Sequence, residues 1–75
     1  MKADYKDAKG VIVLMCGDTQ NTFPYKDNED LFRLLERFIK NTDAIDVYDF
    51  TERFVFYVFS EKGIEELKEE LKWKN

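Results

Sequence analysis

Histidine does not occur in this chain of 75 residues. Its absence removes the commonest general base and metal ligand, and with it every Ser–His or Cys–His nucleophilic arrangement. A single cysteine, Cys16, cannot form a disulfide within the chain, which fits a reducing compartment. One proline and three glycines are too few for a disordered or low-complexity segment. The longest apolar run, residues 11–16, falls far short of the roughly 20 residues that a membrane-spanning helix needs. No secretory leader is visible. The expectation is a cytoplasmic protein with no membrane partner.

Aromatic side chains and charge are what the chain has in quantity. Seven Phe and four Tyr lie among 44% hydrophobic residues. Large rings bury much area each, so residues 1–75 suffice for one domain with one core. Residues 1–9 are polar and read as a flexible arm. The net charge of −4 falls entirely within residues 28–52, which hold seven acids and three bases. A negative balance disfavours binding to nucleic acid, which depends on Lys and Arg displacing counterions from phosphates.

Three strands and two helices are expected. Residues 11–16 (VIVLMC) form a continuous apolar, β-branched run closed by Gly17, the pattern of a strand covered on both faces. Residues 17–27 read as a polar loop. Asp27 or Asn28 can cap a helix in which Leu31, Phe32, Leu34, Leu35, Phe38 and Ile39 form one stripe, ending at Asn41. Residues 44–50 and 54–59 read as strands joined through Thr51 and Glu52. Ser60, the sole serine, can cap a last helix striped by Ile64, Leu67 and Leu71, with Trp73 near its end. The fold class is therefore α+β, in the order β-α-β-β-α. This is a truncated ferredoxin-like arrangement of three strands with both helices on one face. A right-handed crossover would place the 54–59 strand between the other two.

Strand parity then sorts the side chains. With Phe50 opposite Arg53, one face carries Ile45, Val47, Phe56 and Val58 beneath the helices. The other carries Asp46, Tyr48, Phe50, Val55, Tyr57 and Phe59. That face is too apolar for open water, and a contiguous apolar patch marks an interface unless the arm or the long loop folds over it.

The candidate reactive groups each have a simpler reading. Cys16 sits beside Asp18, which works against a thiolate, so a small buried hydrophobe is the expectation. Asp43, Asp46, Asp49 and Glu52 recur at every third position, but alternation sends Asp46 to the opposite face from Asp43 and Asp49. They read as a solvated acidic edge that blocks unwanted strand pairing, not as a metal site. No catalytic residue, cofactor or metal is assigned, and no enzymatic activity is expected.

Residues 53–59 (RFVFYVF) resemble, over about six residues, the aromatic third-strand motif of RNA-recognition domains. Arg53 or Phe54 stands where that motif has glycine. The resemblance implies base stacking on the aromatic face.

The leading expectation is a small acidic protein-binding or regulatory module that self-associates, most simply as a homodimer. Its partner-binding residues are Tyr48, Phe50, Val55, Tyr57 and Phe59 on the aromatic face, with Asp43, Asp46, Asp49 and Glu52 on the acidic edge. One alternative is an inhibitor that imitates nucleic acid with its acidic surface, as a phage anti-defence protein would. The other is single-stranded nucleic-acid binding on the aromatic face.

Overall fold

A computed structural model describes residues 7–72. The elements run β1 (Gly10–Cys16), β2 (Thr19–Tyr25), α1 (Asn28–Phe38), β3 (Ala44–Asp49), β4 (Phe54–Val58) and α2 (Glu61–Glu70), with a short 3-10 turn at Ile39–Asn41 after α1. The four strands make one antiparallel sheet in the order β2-β1-β3-β4. The class is α+β, as expected. The three-stranded truncated ferredoxin-like order is not what forms. Residues 17–27 are no loop: most of them are β2, paired with β1 from Gly10↔Tyr25 to Cys16↔Thr19. The 54–59 segment lies at the sheet edge, not between its neighbours, and β3 is interior.

Local chemistry accounts for the extra strand. Gly17 and Asp18 form a two-residue turn, with Gly17 at φ 58° in the left-handed region. Glycine at the first turn position suits the tight hairpins whose twist matches that of the flanking strands. The Thr19 side chain donates back to the Cys16 carbonyl at 2.8 Å, and the Gly17 N–H donates to Asp43 Oδ2 at 2.8 Å. The polar character of β2 follows from its place at an edge, where its first four residues are exposed.

The helices begin differently. At α1, Asp27 Oδ1 accepts the Asp30 N–H at 2.8 Å, and Asp30 Oδ2 accepts the Lys26 N–H at 3.0 Å. The two acids cap the helix reciprocally and complement its positive end. At α2, Ser60 occupies the capping position, yet its side chain makes no capping hydrogen bond; its carbonyl accepts from the Gly63 N–H. Trp73 lies outside the described residues.

Both helices cover the same face of the sheet. Leu31, Phe32 and Leu35 of α1 and Ile64 and Leu67 of α2 pack with Ile12, Leu14, Ile45, Val47 and Val58 in one cluster. Each such aliphatic side chain, when fully buried, contributes about 1.5–3 kcal/mol. Lys68 ties the helices together. Its ammonium bonds Glu36 of α1 at 3.2 Å and lies 5.6 Å from the Phe32 ring centre.

Register between β3 and β4 follows the parity argument: Ile45↔Val58, Asp46↔Tyr57, Val47↔Phe56 and Tyr48↔Val55. The turn is longer than expected. The ladder stops at Asp49↔Phe54, leaving Phe50 to Arg53 as a four-residue turn that closes through Arg53 at φ 59°. Opening one pair lengthens the loop by one residue on each side, so the faces are unchanged.

Candidate functional site

The helix-free face of the sheet is built from alternate residues of all four strands. One row runs Pro24, Val11, Tyr48, Val55, and the next runs Thr22, Val13, Asp46, Tyr57. Phe59 lies just beyond the end of β4 and packs edge-on against Tyr57, with ring centres 4.6 Å apart. Val55 is 66% exposed, Phe59 64% and Tyr57 47%. Of the aromatic-face residues expected from strand parity, the structure thus gathers Tyr48, Val55, Tyr57 and Phe59 on one surface, and β1 adds Val11, Val13 and Met15. Phe50 stands apart, exposed in the β3–β4 turn.

The acids do not form one edge. Asp43 is exposed and holds the β1–β2 turn. Glu52 is exposed in the β3–β4 turn, 3.3 Å from Lys9. Asp46 and Asp49 are both buried, on opposite faces of an interior strand. The edge-protecting role assigned to them fails because β3 has a neighbour on each side.

Asp49 faces the helix side, at the end of the core, and its carboxylate is fully satisfied. Oδ1 accepts the Glu52 N–H at 2.7 Å; Oδ2 accepts from the Tyr25 hydroxyl at 2.9 Å and from the Lys9 ammonium at 2.6 Å. Burial alone would raise its pKa, but these three donors hold it below the ordinary carboxyl value. Burial first, then the hydrogen bond to Asp49 and the charge on that carboxylate, pushes the Tyr25 phenol far upward. Burial works to lower the Lys9 ammonium, but Asp49 and Glu52 outweigh it and leave the group raised. Lys9, placed in the flexible arm by composition, is fixed here: its N–H donates to the Tyr25 carbonyl and its carbonyl accepts from the Phe50 N–H, both at 2.8 Å. Gly10 makes this possible. A Cβ there would sit 2.2 Å from the Tyr48 carbonyl oxygen and 2.4 Å from the Tyr25 hydroxyl oxygen. The cluster is structural: it pins the β3–β4 turn to β1 and β2.

Asp46 is the opposite case. It lies at the centre of the open face, between Val13 on β1 and Tyr57 on β4, and is 8% exposed. Oδ2 accepts from the Tyr48 hydroxyl at 3.3 Å, and Oδ1 is buried with no hydrogen-bond partner among the described residues. The Asp46 charge is the main cause raising the Tyr48 phenol.

Other candidate chemistry stays modest. The Cys16 thiol is half-buried and 3.5 Å from the Asn41 carbonyl oxygen. Among the described residues no group of three or more His, Cys, Asp or Glu is placed to hold a metal ion, and no helix is long and apolar enough to cross a membrane. Phe23 of β2 stacks on Phe38 of α1 at 5.2 Å, a contact that reading 17–27 as a loop could not find. Compared with protein-family models, curated proteins and solved structures, the chain matches none of them.

Proposed function

We propose that this chain is a protein-binding module whose working surface is the open face of its sheet. The observation that carries this reading is the contiguous, exposed set Tyr48, Val55, Tyr57 and Phe59. Each of these rings and branched chains pairs across or along β3 and β4, so they form one patch rather than scattered apolar residues. Aromatic anchors of this kind supply most of the energy in protein interfaces. Occupying a partner's surface in this way is how a small regulatory protein without catalytic groups acts.

The same observations favour this reading over imitation of nucleic acid. Mimicry needs acids arrayed on one surface, and only Asp43 and Glu52 of the four are exposed. Stacking of bases on the aromatic face has rings in suitable positions, but a carboxylate stands at the centre where a phosphate-binding cation would be needed.

Self-association is a second reading, and β4 supports it. Phe54–Val58 is an edge strand without proline or lysine, so its outer backbone groups can pair with a second copy. The other edge, β2, carries Pro24. Face-to-face stacking is disfavoured, because it would oppose two Asp46 carboxylates. Light scattering across concentration tests the edge dimer. A mass that doubles with concentration, and reverts to that of one chain in Val55→Lys, supports it; a constant single-chain mass rejects it.

Capture from cell extract tests the main reading. Wild type and a helix-surface control, Arg33→Ala with Glu66→Ala, should retain the same partner. The Val55→Ser, Tyr57→Ser, Phe59→Ser variant should lose it. Equal retention by all three contradicts the proposal.

A further inference from the structure

The open face holds one feature that a plain apolar docking surface would not need. Asp46 puts a carboxylate in the middle of it, in an interior strand, with one oxygen buried and unpartnered among the described residues. Buried polar atoms are nearly always hydrogen-bonded, and a buried charge lacking a counter-charge is costly. The only group bonded to this carboxylate among the described residues is a neutral phenol, Tyr48, at 3.3 Å. Asp49, further along the same strand and buried on the far face, has by contrast an ammonium, a hydroxyl and a backbone N–H on its two oxygens.

The rings around Asp46 are placed to receive a cation as well as an apolar group. Tyr57 lies directly across from it, Tyr48 follows it on the same face, and Phe59 packs on Tyr57. Cations are drawn to aromatic faces, and a guanidinium or ammonium donates to a carboxylate through charge-assisted hydrogen bonds. Both tyrosines are partly exposed, at 36% and 47%, so their ring faces are open to a partner.

We propose that a basic side chain, arginine or lysine, of a protein partner docks over Asp46 between Tyr48 and Tyr57, and supplies the counter-charge that this carboxylate lacks among the described residues. This rests on the open face being the docking surface and names what the partner presents to it: a cation set among apolar groups. The apolar rim then excludes water and strengthens the pair.

Titrations followed by NMR, on the full chain, test the proposal with two blocked tripeptides, Leu-Arg-Leu and Leu-citrulline-Leu. They share shape and apolar flanks and differ in charge. Shifts confined to Val13, Asp46, Tyr48, Tyr57 and Phe59 are expected with the arginine peptide, at an affinity about tenfold or more above that of the citrulline peptide. Asp46→Asn should erase that difference while leaving the thermal midpoint equal to wild type or higher. If both peptides shift the face equally, the cation inference is wrong and the apolar docking face stands. If neither peptide moves it, both readings lose their support. If Lys2→Gln with Lys6→Gln shifts the same resonances before any peptide is added, the chain's own N-terminal segment is the occupant and the proposal is overturned. The peptide comparison on wild type decides the matter even if Asp46→Asn fails to fold.

Discussion

Replacing Asp49 with asparagine tests the physical account of how this small sheet is held together. The asparagine keeps its side-chain oxygen toward the Glu52 N–H but turns an amide, a donor, toward the Lys9 ammonium, which can only donate, and the Tyr25 hydroxyl, which must give up its donor role to accept from it. Two hydrogen bonds to a charged acceptor are lost, each contributing about 1.5–3 kcal/mol. Part of this is recovered. Lys9 is 16% exposed and keeps Glu52 at 3.3 Å, and a neutral amide is cheaper to bury than a carboxylate. The net loss is about 2–4 kcal/mol. Urea unfolding at neutral pH, with a slope of about 1 kcal/mol per molar for a chain of this size, would show a midpoint lower by about 2–4 M.

The pH dependence makes the test sharper. Asp49 is held below its unfolded value of about 3.9, so its contribution is fully present above that pH and is lost as pH falls through the folded value. The gap between wild type and Asp49→Asn should therefore close in acid. Tyr25 and Lys9 are raised, so their contributions are present below about pH 10 and are lost above it. A midpoint shift under about 0.5 M at neutral pH, or a gap that stays constant down to strong acid, would refute the reasoning.

Three further outcomes follow from the same geometry. Gly10→Ala should cost more than about 3 kcal/mol or prevent folding, since its Cβ meets a backbone carbonyl, and circular dichroism with thermal melting reads this directly. Asp46→Val should raise stability by about 1–3 kcal/mol in the isolated chain, because it replaces a buried carboxylate that has no counter-charge among the described residues with a β-branched residue in an interior strand; a loss of that size in urea unfolding would mean the carboxylate is structural. Fluorescence anisotropy with labelled single-stranded RNA or DNA at low salt should show no binding at tens of micromolar, and saturable binding there would revive the base-stacking reading.

Much of the sheet was legible in the sequence, for reasons that differ by element. The parity of β3 and β4 placed Tyr48, Val55 and Tyr57 on one face even though the turn is longer than the spacing suggested, because register survives when a loop grows equally on both sides. Strand β2 was misread because an exposed edge strand need not be apolar: residues 19–22 are all polar, and Pro24 speaks against a central strand. The Gly17-Asp18 pair was the signal that could have found it. The Lys9–Tyr25–Asp49 cluster was out of reach, since its members lie 24 and 40 positions from Asp49 and meet only once β1 is known to lie between β2 and β3. The acids at every third position looked alike in sequence. Only the strand order separates them, making Asp49 a satisfied core anchor and Asp46 a carboxylate on the open face with no counter-charge among the described residues.

Side-chain footprinting by hydroxyl radicals on the captured complex shows whether a partner sits on the open face proposed as the working surface. Tyr48, Tyr57 and Phe59 are partly exposed on that face, and Phe23, at 37%, is an internal control on the helix side. A partner seated on the open face protects the first three and leaves Phe23 as reactive as in the free protein. Protection of Phe23 with unchanged Tyr48, Tyr57 and Phe59 would contradict that placement.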